Sequence, residues 1–258
     1  MNIAVCVKQI PDPSVPGELE DDFTLKRDGK LILDDSDSFG VEIGLQLAEA
    51  AGGGTITLVS MAPRSEVGGL RTGLAMGADR AILVSDDALS GAGALDTAKV
   101  LAAAVARAEP DLVLAGTEST DGYTGTVPEQ VAALLGWPSV TFAKHIEVAE
   151  GRLKVQRQTE SGYDEVECPL PAVVSVTAGV VEPRYPSFKG IMAAKSKPVD
   201  ELKLADLGLE ASRVGWPGSG QEIVTVEPAE ERQAGEKIED DGEAHLKIVE
   251  FLDRLKLI

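Results

Sequence analysis

The sequence predicts an α/β fold: a doubly wound, mainly parallel sheet with helices on both faces, then an antiparallel extension and a C-terminal arm ending in a helix. Three observations predict it. Short β-branched runs bounded by Gly, Asp or Pro recur along the first two thirds of the chain. Segments with helical spacing separate the first four of these runs. After Trp137-Pro138 the rhythm changes to strands in which apolar and polar residues alternate. Short runs that are apolar on both sides suit strands buried on both faces, as in a parallel sheet.

Residues 3–7 (I-A-V-C-V) read as the first strand and start almost at the N-terminus. Residues 55–59 (T-I-T-L-V), 81–84 (A-I-L-V), 112–115 (L-V-L-A) and 173–176 (V-V-S-V) read as further parallel strands. Between them, Val41, Leu45 and Ala48, then Val67, Leu70, Leu74 and Ala75, then Ala98, Leu101, Ala102 and Val105 each mark one apolar helix face. The resulting βαβαβαβ order is Rossmann-like and nucleotide-binding in type, with its ligand site at the carboxyl ends of the strands. Residues 141–148 and 153–158 read as antiparallel strands turning at Glu150-Gly151.

From Val199 the strand pattern fades, and ten acids lie between Glu222 and Glu250. The nucleotide-binding domain is therefore expected to span 1–198 and the arm 199–258. The arm ends with Leu246, Val249, Leu252 and Leu255 on one helical stripe, which requires a cover from its own domain or from a partner.

The 258 residues carry 43 acids against 24 Lys and Arg, a formal charge of −19. With no basic run longer than two, counterion release has little to act on, and nucleic acid is a poor partner. The longest apolar stretch, around 172–181, is half of a membrane span, so no membrane insertion is expected. The N-terminus lacks a signal layout, and a cytoplasmic location follows. Cys6 and Cys168 read as small buried hydrophobes.

Chemistry concentrates in two segments. After the 112–115 strand the chain reads Gly116-Thr117-Glu118-Ser119-Thr120-Asp121-Gly122-Tyr123-Thr124-Gly125-Thr126-Val127-Pro128-Glu129 and continues as a helix. Small and hydroxyl residues at a strand-to-helix junction let backbone N–H groups approach an anion at the helix N-terminus. The run holds no Lys or Arg, so a phosphate-type site built without cations is expected. An ordinary Gly-rich turn capped by Thr124 or Thr126 would read the same way. Neither a P-loop nor a G-x-G-x-x-G motif is present. Asp34, Asp35 and Asp37 before the first helix read as capping and solvation rather than as a metal site. His145 and His245 have no nucleophile motif beside them.

The second segment, Arg184-Tyr185-Pro186-Ser187-Phe188-Lys189-Gly190-Ile191-Met192-Ala193 and on to Lys197, holds four cations and no acid. Apolar side chains in a basic frame suit docking to an acidic partner surface, and equally a loop whose Phe188 and Ile191 tuck into their own core.

Together with A-V-C-V-K at 4–8, L-R-T-G-L-A-M-G-A-D-R at 70–80 and L-P-A-V-V at 170–174, the 111–128 segment and E-P-R-Y-P-S-F-K-G-I-M at 182–192 closely resemble the electron transfer flavoprotein β subunit, nearly end to end. The resemblance implies a non-catalytic electron carrier in an αβ heterodimer whose α subunit holds most of an FAD, while β binds a structural AMP. By position, that nucleotide pocket comprises Cys6, Asp34, Asp35, Ser36, Asp37, Met61 and Gly116 to Val127. Where many members have Asn-Pro-Phe, this chain has Asp34-Asp35-Ser36, and no FAD ligand is assigned in it.

The resemblance makes 184–193 the loop that docks flavin-dependent dehydrogenases, such as those of fatty acid oxidation, with Phe188 as its anchor. Electrons would pass on to a quinone oxidoreductase or another acceptor, and the terminal helix would pack on the α subunit. Two alternatives stand beside this reading: an electron-bifurcating subunit with a second FAD in the AMP pocket, and a stand-alone adenine-nucleotide-binding regulatory domain. Tyr123 replaces an Asp of the bifurcating type, and a stand-alone domain has no need of the 184–193 loop.

Overall fold

Strands that are apolar on both sides can be buried only between two layers of helices, and the computed structural model shows this sandwich. It describes all residues except 64–65, 228, 230–234, 236 and 241. In β1 (Asn2–Cys6), Ile3 and Val5 enter one hydrophobic layer while Ala4 and Cys6 enter the other. The short β2 (Gln9–Pro11) and β3 (Leu31–Leu33) pair antiparallel in a separate ribbon that the sequence reading did not anticipate. Next come α1 (Asp35–Ala50), β4 (Thr55–Met61), α2 (Gly68–Met76) and β5 (Arg80–Val84). They are followed by α3 (Ala94–Ala108), β6 (Leu112–Gly116) and α4 (Val127–Leu135).

The anticipated apolar faces determine which side each helix covers. Val41 and Leu45 of α1 and Leu70 and Leu74 of α2 fill the first layer. Ala98, Leu101 and Val105 of α3, with Val131 of α4, fill the second. The antiparallel extension has three strands, β7 (Ser139–Ala149), β8 (Arg152–Thr159) and β9 (Gly162–Pro169), of which the sequence reading anticipated two. Positive φ at Glu150 (53°) and Gly151 (72°) makes the β7–β8 connection a primed two-residue turn that matches the twist of its strands. After β10 (Ala172–Val176) come α5 (Phe188–Ala194) and β11 (Val199–Leu202).

The nine-stranded sheet has the order β11-β5-β4-β1-β6-β10-β7-β8-β9, and every pairing from β11 to β7 is parallel. β1 sits inside the sheet with β4 on one side and β6 on the other, so the chain changes direction there and opens a crevice at the carboxyl ends.

The compact unit extends past the anticipated end at 198, through Ile223. β11 adds to β5 as an edge strand, and Leu204 and Val214 are buried in the second layer. The sequence hid this strand because its half-exposed V-D-E-L contains two acids on an edge, where only one side needs to be apolar. The second unit, Val224–Ile258, contains a helix at Ala244–Arg254. The acidic stretch lies partly outside the described residues. Among the described residues, no helix is long and apolar enough to cross a membrane.

Candidate functional site

At the crevice, Cys6 ends β1, Met61 ends β4 and Gly116 ends β6. Helix α1 begins beside them because Asp34 caps it, its Oδ1 accepting the Ser36 N–H at 3.0 Å and the Ser36 hydroxyl at 2.7 Å. The other oxygen, Oδ2, accepts the Thr120 N–H at 2.7 Å and the Thr120 hydroxyl at 3.0 Å. One fully buried carboxylate therefore joins the first helix to the 116–127 loop.

Asp37 lies three residues on, also buried, and accepts the Lys8 N–H at 2.6 Å. Burial pushes its carboxyl up to about 8, opposed by the Lys8 N–H and reinforced by the charge of Asp34. Asp35 alone of the three faces solvent. Capping is thus realised at Asp34 and solvation at Asp35 only, while Asp34 and Asp37 turn inward at the crevice.

Gly116, at the end of β6, packs against the start of α1. A Cβ there would lie 3.0 Å from both Asp37 Oδ1 and Ser36 Oγ. The neighbouring Cys6 thiol is pushed up to about 12 by burial first and by Asp37 second, so it stays protonated and unreactive.

Residues 117–126 carry the chain into α4. Thr117 donates its N–H (3.2 Å) and hydroxyl (3.1 Å) to the Val176 carbonyl, fixing the loop to β10. Tyr123 (φ 48°) and Gly125 (φ 60°) have positive φ, and the Tyr123 N–H closes a turn on the Ser119 carbonyl at 3.0 Å. Thr126 occupies the N-cap position of α4 without a side-chain cap bond.

The expectation of a site without cations is overturned. Lys8 Nζ reaches Asp121 Oδ1 at 2.6 Å and Ser119 Oγ at 3.2 Å, and Arg27 Nη2 donates to Asp121 Oδ2. Burial alone would raise the Asp121 carboxyl, but Lys8 and Arg27 outweigh it and hold it below the ordinary range. The sequence reading missed both residues. Lys8 lies two residues past the end of β1, which was a usable signal, whereas Arg27 sits between two short strands that were not anticipated.

The second segment splits at Ser187. Residues 184–187 form a loop, and Phe188 to Ala193 lie in α5, capped by the Ser187 hydroxyl accepting the Gly190 N–H at 3.0 Å. The basic frame is smaller than the sequence suggested. Arg184 donates to Glu42 through Nε (2.7 Å), Nη2 (3.0 Å) and its own N–H (3.0 Å), and to Glu49 through Nη1 (2.8 Å). Lys197 Nζ donates to the Leu74 and Ala78 carbonyls at the end of α2. Lys189 and Lys195 remain at the surface. Phe188 is 80% and Tyr185 92% exposed, with Ile191 and Met192 half exposed, so the tucked-in alternative fails. A groove of about 630 Å³ between α2 and this segment is lined by Arg71, Ala75, Tyr185, Ile191 and Lys195, among others. Arg71 Nη1 donates to the Ala194 (2.6 Å) and Lys197 (2.8 Å) carbonyls, so α2 holds the far end of α5.

Cys168 is buried and free, and His145 is exposed with Glu147 at 3.0 Å. Among the described residues, no cluster of His, Cys, Asp and Glu is placed to hold a metal ion.

A family model for the electron transfer flavoprotein domain matches residues 22–207. The electron transfer flavoprotein subunit beta of Mycobacterium tuberculosis (strain ATCC 25618 / H37Rv) is 40% identical over 264 residues, covering 100% of this chain and 99% of the relative. Those of Mycobacterium leprae (strain TN) and Megasphaera elsdenii are 41% and 34% identical, each aligned over 100% of this chain and at least 99% of the relative. With the crevice, its loop and the exposed 184–193 segment arranged as described, this chain belongs to the electron transfer flavoprotein β-subunit family.

Proposed function

We propose that this chain is the β subunit of a heterodimeric electron transfer flavoprotein, passing electrons from flavin-dependent dehydrogenases to a quinone oxidoreductase or another acceptor. One observation carries the reading. At the switch point of the sheet, a loop of small residues meets the start of α4, the buried end of α1 and the two cations Lys8 and Arg27. Backbone N–H groups plus partly neutralised cations fit a nucleotide phosphate, and the half-buried Met61 at the end of β4 fits an adenine beside it.

The occupant is AMP, held by Cys6, Asp34 to Asp37, Met61 and the 116–127 loop. FAD, held mainly by the α subunit, supplies the one- and two-electron redox chemistry when bound. This chain orients the assembly and docks the donor. Arg184 fixes the 184–193 segment to α1 while Phe188 projects into solvent, which suits an anchor that enters a pocket on a dehydrogenase. The terminal unit supplies an apolar stripe (Leu246, Val249, Leu255) suited to the α subunit.

Co-expression with the α subunit, denaturation and chromatography test the reading. One FAD and one AMP per heterodimer are expected. Two FAD without AMP would replace it with the bifurcating alternative, and AMP without a flavin-bearing partner would favour the regulatory domain.

A further inference from the structure

The segment between β2 and β3, residues 12–30, runs mostly exposed. Its internal bonds are local turns and one small antiparallel bridge: Asp12 accepts from Ser14, Asp22 accepts from Thr24, Leu19 bridges Leu25 with the Lys26 N–H donating to the Glu18 carbonyl at 2.9 Å, and Lys26 Nζ pairs with Glu18 and Asp28. Two residues reach out of the segment: Asp22 accepts from the Trp216 side chain, and Arg27 reaches the 116–127 loop. Its guanidinium donates to Asp121 of the 116–127 loop and to the Gln9 carbonyl (3.1 Å). Asp121, with only 8% of its side chain exposed, divides its two oxygens between Arg27 and Lys8. A single carboxylate is thus the meeting point of the end of β1, the 12–30 segment and the loop.

We propose that Arg27, Asp121 and Lys8 form a latch that holds the 12–30 segment over the loop, and that Arg27 is a positioning residue for nucleotide retention. The retention role rests on the reading that the loop binds a nucleotide. Two cations on one carboxylate leave one net positive charge. That charge sits against the loop: Lys8 Nζ is 3.2 Å from Ser119 Oγ and would lie 3.5 Å from a Cβ at Gly122. A phosphate at the loop would meet the positive charge that Asp121 leaves uncompensated, and Arg27 held on Asp121 keeps that charge at the loop. Lys26, adjacent in sequence and equally cationic, makes its ion pairs within the segment and serves as the matched control.

The test uses the αβ complex with four variants, Arg27→Gln, Arg27→Lys, Asp121→Asn and Lys26→Gln. One arm measures cleavage after Glu20 by a Glu-specific protease, and the other measures release of radiolabelled AMP after dilution. Loss of a charge-assisted bond of about 1.5 kcal/mol or more corresponds to about a tenfold change. Arg27→Gln is expected to speed both cleavage and release about tenfold. Asp121→Asn should speed cleavage, Lys26→Gln should match wild type, and Arg27→Lys should recover most of the protection. Arg27→Gln behaving like Lys26→Gln in both arms would overturn the latch. Faster cleavage with unchanged AMP release would overturn the retention role. A wild-type complex that takes up no AMP would overturn the nucleotide reading and with it retention, while the cleavage arm still decides whether the latch exists.

Discussion

The Asp34 carboxylate accepts both the amide (2.7 Å) and the hydroxyl (3.0 Å) of Thr120, a residue 86 positions away, while its other oxygen caps α1. Replacing Asp34 by Ala would leave four donors on Ser36 and Thr120 without this acceptor. Asp34→Ala is expected to lower stability by about 2–4 kcal/mol. Asp34→Asn, which keeps one acceptor oxygen, should cost less than half of that. Urea unfolding of both variants checks the order, and equal losses would contradict it.

Asp37 gives the fold a pH dependence of defined sign. Its carboxyl is raised by burial from 3.8 to about 8, so the folded chain keeps a proton that the unfolded chain releases across that interval. Its contribution to stability is therefore least unfavourable at the acid end, declines as pH rises through the window and levels off above about 8. Asp37→Asn removes the titration. Thermal midpoints of the variant minus wild type should become more positive as pH rises from about 5 to about 8; a constant difference would exclude Asp37 as the source.

Helix α5 crosses α2 at Gly190 so closely that an added Cβ would lie 2.4 Å from the Ala75 carbonyl oxygen. Gly190→Ala must push the two helices apart, and a loss of about 1–3 kcal/mol is expected. The displacement should also loosen the Arg71 bonds to Ala194 and Lys197, visible as faster amide exchange in 194–198.

Phe188 is the opposite case. At 80% exposure it contributes little to its own core, so Phe188→Ala should change stability by no more than about 0.5 kcal/mol. If it anchors a dehydrogenase, flavin reduction by that donor should slow about tenfold or more, in line with loss of a hot-spot aromatic. Stopped-flow reduction with donor in limiting amounts measures this, and equal rates would remove Phe188 from the interface.

Much of the fold was legible because burial on both faces leaves a mark in the sequence. The runs at 3–7, 55–59, 81–84, 112–115 and 173–176 all fall in parallel strands, since a strand between two helix layers has no polar side to interrupt it. β11 escaped notice for the complementary reason, since a half-exposed edge strand with acids resembles a loop, and the β2–β3 ribbon did so because its buried strands are only three residues long. The loop at 116–127 was recognisable from its small residues, yet its charge was misread. Its composition shows no cation because both cations come from elsewhere in the chain.

The sequence by itself determined the alternation of strand and helix, the face each helix buries, the family, and the two segments that carry its chemistry. Each depends on periodicity or on a contiguous motif, and both are local properties of the chain. Only the tertiary structure decided that Lys8 and Arg27, 113 and 94 residues from Asp121, meet on that carboxylate, and that Glu42 and Glu49 absorb Arg184. Periodicity states whether a side chain turns inward or outward. Which distant charge it meets there depends on how the strands are ordered in the sheet, and that order is a property of the packed molecule.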